Sequence, residues 1–137
     1  MAMCTEDQQK KGYLAGPMRG LPKFNFPAFN IAAKKLRSEG YFIFNPAEHD
    51  KEKYGVDISK YNRTGDETKA IEKHGFNLRE SLQADLTFIC LYAEVIFMLP
   101  GWENSKGANA ELATAKAIGI EVIYLDESYV KDRKSVV

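Results

Sequence analysis

Cysteine is scarce in this chain: Cys4 and Cys90 are the only two among 137 residues. Two isolated thiols make neither a disulfide framework nor a metal-ligand set, which excludes a stapled scaffold and points to a reducing, cytoplasmic setting. No apolar run approaches the roughly 20 residues needed to span a bilayer. The first twelve residues, MAMCTEDQQKKG, lack the apolar core of a signal peptide and read as a frayed lead-in. There is no excess of charge either, with 19 Lys and Arg against 19 Asp and Glu, so no overall field favours a nucleic acid polymer or a membrane surface. What remains is 45% hydrophobic and 28% charged, the composition of a soluble globular domain with enough chain to bury a core. A small, locally bound ligand fits this balance, and nothing calls for a metal or an organic cofactor.

Periodicity divides the chain into alternating strands and helices. Gly12 to Gly16 (GYLAG) is a short buried strand ending in the turn Pro17-Met18-Arg19-Gly20, whose backbone N–H groups and Arg19 fork suit an anion as well as solvent. The turn lacks the spacing and the Lys-Ser/Thr ending of a P-loop. From Phe24 to Glu39 the apolar residues Phe26, Phe29, Ala32, Ala33 and Leu36 recur at helical spacing, with Asn25 as the expected N-cap, Pro27 in the first turn and Gly40 as the stop. Tyr41 to Phe44 (YFIF) is a second strand. Residues 45–76 are polar and longer than an ordinary connection, which predicts a lid or substrate-binding excursion. Pro46 and His49 at its start are minor site candidates; His49 and His74 read equally as incidental loop histidines.

A helix follows from Asn77 to about Leu91, with Leu78, Leu82, Leu86 and Ile89 as its inner face. Asp85 on it has no cation at helical spacing and reads as a surface carboxylate when taken alone. Val95 to Leu99 and Glu121 to Leu125 are the third and fourth strands, and residues 127–137 form a closing tail or an extra edge strand. Strand-helix alternation predicts one three-layer α/β sandwich with parallel sheet order 2-1-3-4. In that order the loops after strands one and three meet at the switch point where open α/β sheets bind ligands.

The stretch after strand three, LPGWENSKGANAELATAKAIG, carries the most chemistry. Ser105 is a good N-cap for a helix over Lys106 to Ile118, and Gly107 lets a ligand approach the free N–H groups of its first turn. Ala108, Glu111, Leu112, Ala115 and Ile118 share one face. A carboxylate on that stripe must be paired, neutralised or used, yet the residues three and four away from Glu111 are Gly107, Ala108, Thr114 and Ala115. Glu111 therefore either reaches water at the stripe's edge or serves a site. Ser105 and Arg19, brought together at the switch point, form a phosphate site one to two turns from it. Six residues of helix span about 9 Å, so Glu111 faces the part of such a ligand that is set back from its phosphate. Trp102 either forms part of this pocket or packs in its loop.

YLAGPMRG at 13–20, ADLTFI at 84–89 and SKGANAELATAKAIG at 105–119 resemble, in order and placement, the three motif blocks of the nucleoside 2-deoxyribosyltransferase superfamily, which includes 2'-deoxynucleoside 5'-phosphate N-hydrolases. The LPGWENSKGANAE signature is similar to that of a branch common in phages and bacteria. The resemblance covers most of the chain outside 45–76 and the two tails. It implies a flavodoxin-like, homo-oligomeric enzyme that cleaves an N-glycosidic bond. Glu111 then matches the nucleophile that forms a glycosyl-enzyme intermediate, Tyr13 the hydroxyl that orients it, and Asp85 the group that contacts the base and assists its protonation or departure. Gly16, Met18, Arg19, Gly20, Ser105 and Gly107 fall in the substrate and phosphate blocks. Ser105 stands where the nucleoside transferases carry a sugar-binding aspartate and the nucleotide hydrolases a phosphate-binding serine, which favours a nucleoside monophosphate. Pro17 departs from the hydrolases, which have a phosphate-contacting serine there. Base exchange between nucleosides and nucleotide binding without turnover are the alternatives.

Overall fold

Residues two apart on a strand share a face, and the sheet uses that alternation to build two cores. The computed structural model describes residues 9–49 and 78–131. In chain order the elements are β1 (Lys11–Ala15), α1 (Phe26–Ser38), β2 (Phe42–Phe44), α2 (Leu78–Leu91), β3 (Val95–Met98), α3 (Lys106–Ile118) and β4 (Glu121–Tyr124). All strand pairs are parallel and the order is β2-β1-β3-β4, as the alternation predicts. Leu14, Ile43, Val95, Phe97 and Leu99 face α1, where they meet Phe26, Phe29, Ala32, Ala33 and Leu36. Tyr13, Ala15, Ile96 and Met98 face the other way, onto Ile89 of α2 and Ala108, Leu112 and Ala115 of α3. This is a flavodoxin-like three-layer arrangement, and it sets Tyr13 under the two helices that bear Asp85 and Glu111.

Several expectations shift. β1 begins at Lys11, one residue before the Gly12 expected, and pairs there with Phe42. No fifth strand forms among the described residues. Instead Glu127–Tyr129 make a short turn whose Tyr129 hydroxyl donates to Glu39 at 2.9 Å, while Lys35 donates to the carbonyls of Ser128 and Lys131, tying the segment to the chain's own α1. The excursion after β2 does not start as an open loop: residues 46–49 are helical, with Asn45 Oδ1 accepting from the Ala47 N–H at 3.0 Å. Arg37 donates to both Glu48 carboxylate oxygens and to the Ile43 carbonyl, which holds this turn, and Pro46 with it, against α1. The rest of the excursion, with His74, lies outside the described residues, as does Cys4. Cys90 is exposed on α2.

The start of α1 departs most from expectation. The helix begins at Phe26, and Asn25 occupies the N-cap position without capping, its side chain donating instead to the Pro17 carbonyl at 3.0 Å. In the turn Pro22–Asn25 the residues Lys23, Phe24 and Asn25 all have left-handed backbones, with φ of 54°, 53° and 59°. Such a conformation costs about 1–2 kcal/mol for a residue like Lys or Phe and less for Asn. Burying the Phe24 ring, worth ~2–3 kcal/mol, and the ~1 kcal/mol hydrogen bond from Asn25 are of the same size. Tertiary contact thus outweighs the local rule, and its result is to set Phe24 into the wall of the site.

Candidate active site

Three elements deliver three acidic side chains to one point. Tyr13 sits mid-strand on β1 and is 1% exposed; Glu111 lies on the inner stripe of α3 and is 6% exposed. The Tyr13 hydroxyl donates to Glu111 Oε2 at 2.6 Å. Asp85, from α2, stands within hydrogen-bonding reach of both. The two carboxyls with no cation three or four residues away in sequence therefore meet each other and a phenol. The Tyr13 phenol is pushed well above its usual range by burial and by the neighbouring Glu111 and Asp85 charges, so it remains a donor at any physiological pH. Burial first, and Asp85 second, raise the Glu111 carboxyl well above the ordinary carboxylate range, while the Tyr13 hydrogen bond pulls it back down.

That shift has a thermodynamic sign. A carboxyl whose pKa is raised on folding binds more protons in the native than in the unfolded state. Its contribution to stability is full below the unfolded pKa and is lost as pH rises through the folded one. Glu111→Gln removes this term and keeps an oxygen to accept from Tyr13. The variant is expected to gain thermal stability over the parent at pH 8, with the gain shrinking towards pH 4. Melting curves across that range check it; a difference independent of pH contradicts it.

The triad lines a cavity of about 200 Å³. It is lined by residues from the loop after β1 (Gly16, Met18, Arg19), from the turn before α1 and α1 itself (Phe24, Phe26, Phe29), from Pro46, from α2 and from the first two turns of α3. Ser105 caps α3, its Oγ accepting from the Ala108 N–H at 3.1 Å, and retains a hydroxyl proton to donate. Because Ala108 is used in that cap, the Lys106 and Gly107 N–H groups are the ones left for a ligand. A Cβ at Gly107 would meet nothing within 4 Å, so the approach to those groups is open. Gly16 has another purpose: a Cβ there would lie 2.7 Å from that of Leu99, so glycine is required for the close packing of β1's end.

Of the residues singled out from sequence, Tyr13, Gly16, Met18, Arg19, Pro46, Asp85, Ser105, Gly107 and Glu111 share this cavity. Gly20, His49 and Trp102 do not line it. Gly20 instead supplies the left-handed corner of the turn, with φ of 81°. His49 packs its ring on Phe44, 5.3 Å between centroids, in a separate shallow cleft. Trp102 packs against Tyr124 at 5.6 Å, as a loop aromatic. Residues missed from sequence are Phe24, Ser81 and Lys106. Lys106 was findable, since it follows the cap residue directly; Phe24 was not, because nothing local announces a left-handed turn. Leu78 and Leu82, expected in the core, line the cavity instead, and Ile118, at the end of α3's stripe, is 45% exposed.

The cavity's lining combines Arg19, Lys106 and a helix N-terminus, all suited to an anion, with two carboxyls and a phenol, and is otherwise largely apolar. Among the described residues no group of three His, Cys, Asp or Glu is placed to hold a metal ion, and no helix is long and apolar enough to cross a membrane.

Fold and site together define a flavodoxin-like α/β domain with a carboxyl pair, Glu111 buried and Asp85 half-buried, and an anion-suited rim at the carboxyl edge of its sheet. By the match of residues 10–124 to its model, the chain belongs to the DUF4406 family, described as a domain of unknown function. No curated protein and no solved structure matches the chain.

Proposed function

We propose that the protein is an N-glycosidase acting on a nucleoside monophosphate. The observation that carries this reading is the buried contact of Glu111 with Tyr13 and Asp85 in a cavity whose rim holds Arg19 and the start of α3. The resemblance of these positions to the motif blocks of the nucleoside 2-deoxyribosyltransferase superfamily supports the same roles.

The chemistry follows from the parts. The carboxyl pair retains a proton, and the reactive form is the one in which Asp85 carries it and Glu111 is ionised, a form that the Tyr13 hydrogen bond to Glu111 favours. A Glu111 oxygen attacks the anomeric carbon as the C–N bond breaks. The electron pair of that bond goes to the base nitrogen, and the base takes up the Asp85 proton. Water then attacks the same carbon, gives a proton to the Asp85 carboxylate and displaces Glu111. Two displacements retain the anomeric configuration, and one carboxyl serves as acid and then as base, the logic of retaining glycoside hydrolysis. Arg19, Lys106, Ser105 and the N–H groups of Lys106 and Gly107 hold the phosphate.

Incubation with a panel of ribo- and deoxyribonucleoside monophosphates, followed by chromatography, is the test. Free base and a sugar phosphate are expected; no base released from any member overturns the reading. Adding a foreign base to the mixture separates hydrolysis from exchange. A new nucleotide formed in place of the sugar phosphate would make the protein a transferase.

A further inference from the structure

The loop between β1 and α1 is tied shut at its neck. The Asn25 side-chain amide donates to the Pro17 carbonyl at 3.0 Å, joining residues eight positions apart. Between them the backbone makes two successive turns, the Leu21 N–H donating to the Met18 carbonyl at 3.2 Å and the Phe24 N–H to the Leu21 carbonyl at 3.0 Å. Pro17 is seated against the loop after β3, where a Cβ at Gly101 would lie 3.3 Å from its Cγ. Loops of about 6–16 residues whose ends meet in this way form compact units. This one contains three residues of the cavity lining: Met18, Arg19 and Phe24.

Local preference opposes the closed shape. Lys23, Phe24 and Asn25 are left-handed in succession, and of the three only Asn tolerates that readily. Burial of Phe24, which is 4% exposed, and the Asn25 bond hold the loop against it. Arg19 lies on the exposed part of the loop, two residues beyond Pro17, so the stance of its guanidinium follows from how the neck is held.

We propose that Asn25 is a positioning residue, whose bond to the Pro17 carbonyl keeps the loop closed and thereby sets Arg19 for the phosphate of a nucleoside monophosphate. The proposal rests on the N-glycosidase reading above. Asn meets both demands of the position. Its backbone accepts the left-handed region, and its amide supplies a donor that Gly and ionised Asp, the other residues at ease there, lack. Pro17 has no N–H to offer a ligand, and its carbonyl serves as the fixed acceptor.

The same contrast supplies the test. Asn25→Gly and Asn25→Asp keep a residue suited to the left-handed turn and remove the donor. Asn25→Gly is expected to fold, because glycine adopts that region freely. Kd and KM for nucleoside monophosphates should rise about three- to tenfold in both variants, the worth of one hydrogen bond, with kcat little changed. Matched nucleosides without phosphate should behave as with the parent. In the Arg19→Ala background, Asn25→Gly should add little, because the residue through which Asn25 acts is gone. Equal losses on nucleotides and nucleosides, full additivity with Arg19→Ala, or no loss would overturn the role of Asn25 and leave the glycosidase reading standing. Nucleotide binding that weakens as expected in a parent that releases no base would sustain the clasp and overturn the glycosidase reading. A parent that binds no nucleotide would overturn both.

Discussion

Glu111→Gln is expected to lower the rate of base release by about 10⁴-fold, with the fold intact. The size follows from what is removed. An amide oxygen is a poor nucleophile, and an uncharged side chain no longer stabilises the positive charge that grows on the sugar as the C–N bond breaks. Losses of about this order accompany removal of a group that bonds covalently to substrate. The substitution is nearly isosteric, and the Tyr13 hydroxyl, which donates to Glu111 Oε2 at 2.6 Å, can donate equally to the glutamine oxygen. Packing of Ala108, Leu112 and Ala115 around it is untouched. Nucleotide affinity should survive, so binding measured by calorimetry separates lost chemistry from lost structure. Full activity in the variant would remove Glu111 from the reaction.

Arg19→Ala is expected to act at the other end of the ligand. Charge-assisted hydrogen bonds are worth about 1.5–3 kcal/mol, which corresponds to roughly 10- to 150-fold in affinity. Arg19 is exposed on the rim, so the lower part of that range applies at physiological salt. The loss should fall on KM for nucleoside monophosphates, with kcat less affected, because the guanidinium holds a group that does not react. Matched nucleosides without phosphate should be far less sensitive. Comparing kcat/KM for each nucleotide with that for its nucleoside, in parent and variant, reads this directly. An unchanged ratio would mean that the rim does not recognise phosphate.

Much of the architecture was legible in the chain because each element obeys its own period. The apolar runs at strands one to three and the α1 stripe dictate alternating elements, and strand-to-strand connections by helices dictate a parallel sheet. Glu111 was legible as an anomaly: a carboxylate on an apolar stripe without a cation at helical spacing. Its partners were not. Tyr13 is one aromatic in an apolar strand, and Asp85 is one carboxylate on a helix; only the fold, which lays α2 and α3 side by side over β1, makes them neighbours, and only a resemblance of motifs singled them out beforehand.

The misreadings share a cause. A stripe rule cannot distinguish a cavity from a core, so it assigns Leu78 and Leu82 to packing and does not single out Ser81. Asn25 has the type and position of a cap, but the Pro17 carbonyl offers its amide a tertiary partner. Trp102 and His49 stand close in sequence to site residues, yet Tyr124 and Phe44 provide ring partners that draw them elsewhere. In each instance a contact distant in sequence decided where the side chain went.

The most direct measurement is the mass of the protein after incubation with a nucleoside monophosphate bearing 2'-fluorine, which destabilises the oxocarbenium-like transition states and lets a glycosyl-enzyme accumulate. The account predicts a gain equal to the fluorinated sugar phosphate residue, mapped by peptide fragmentation to Glu111 and absent from Glu111→Gln. Release of base with no covalent gain, or a gain on any other residue, would contradict it.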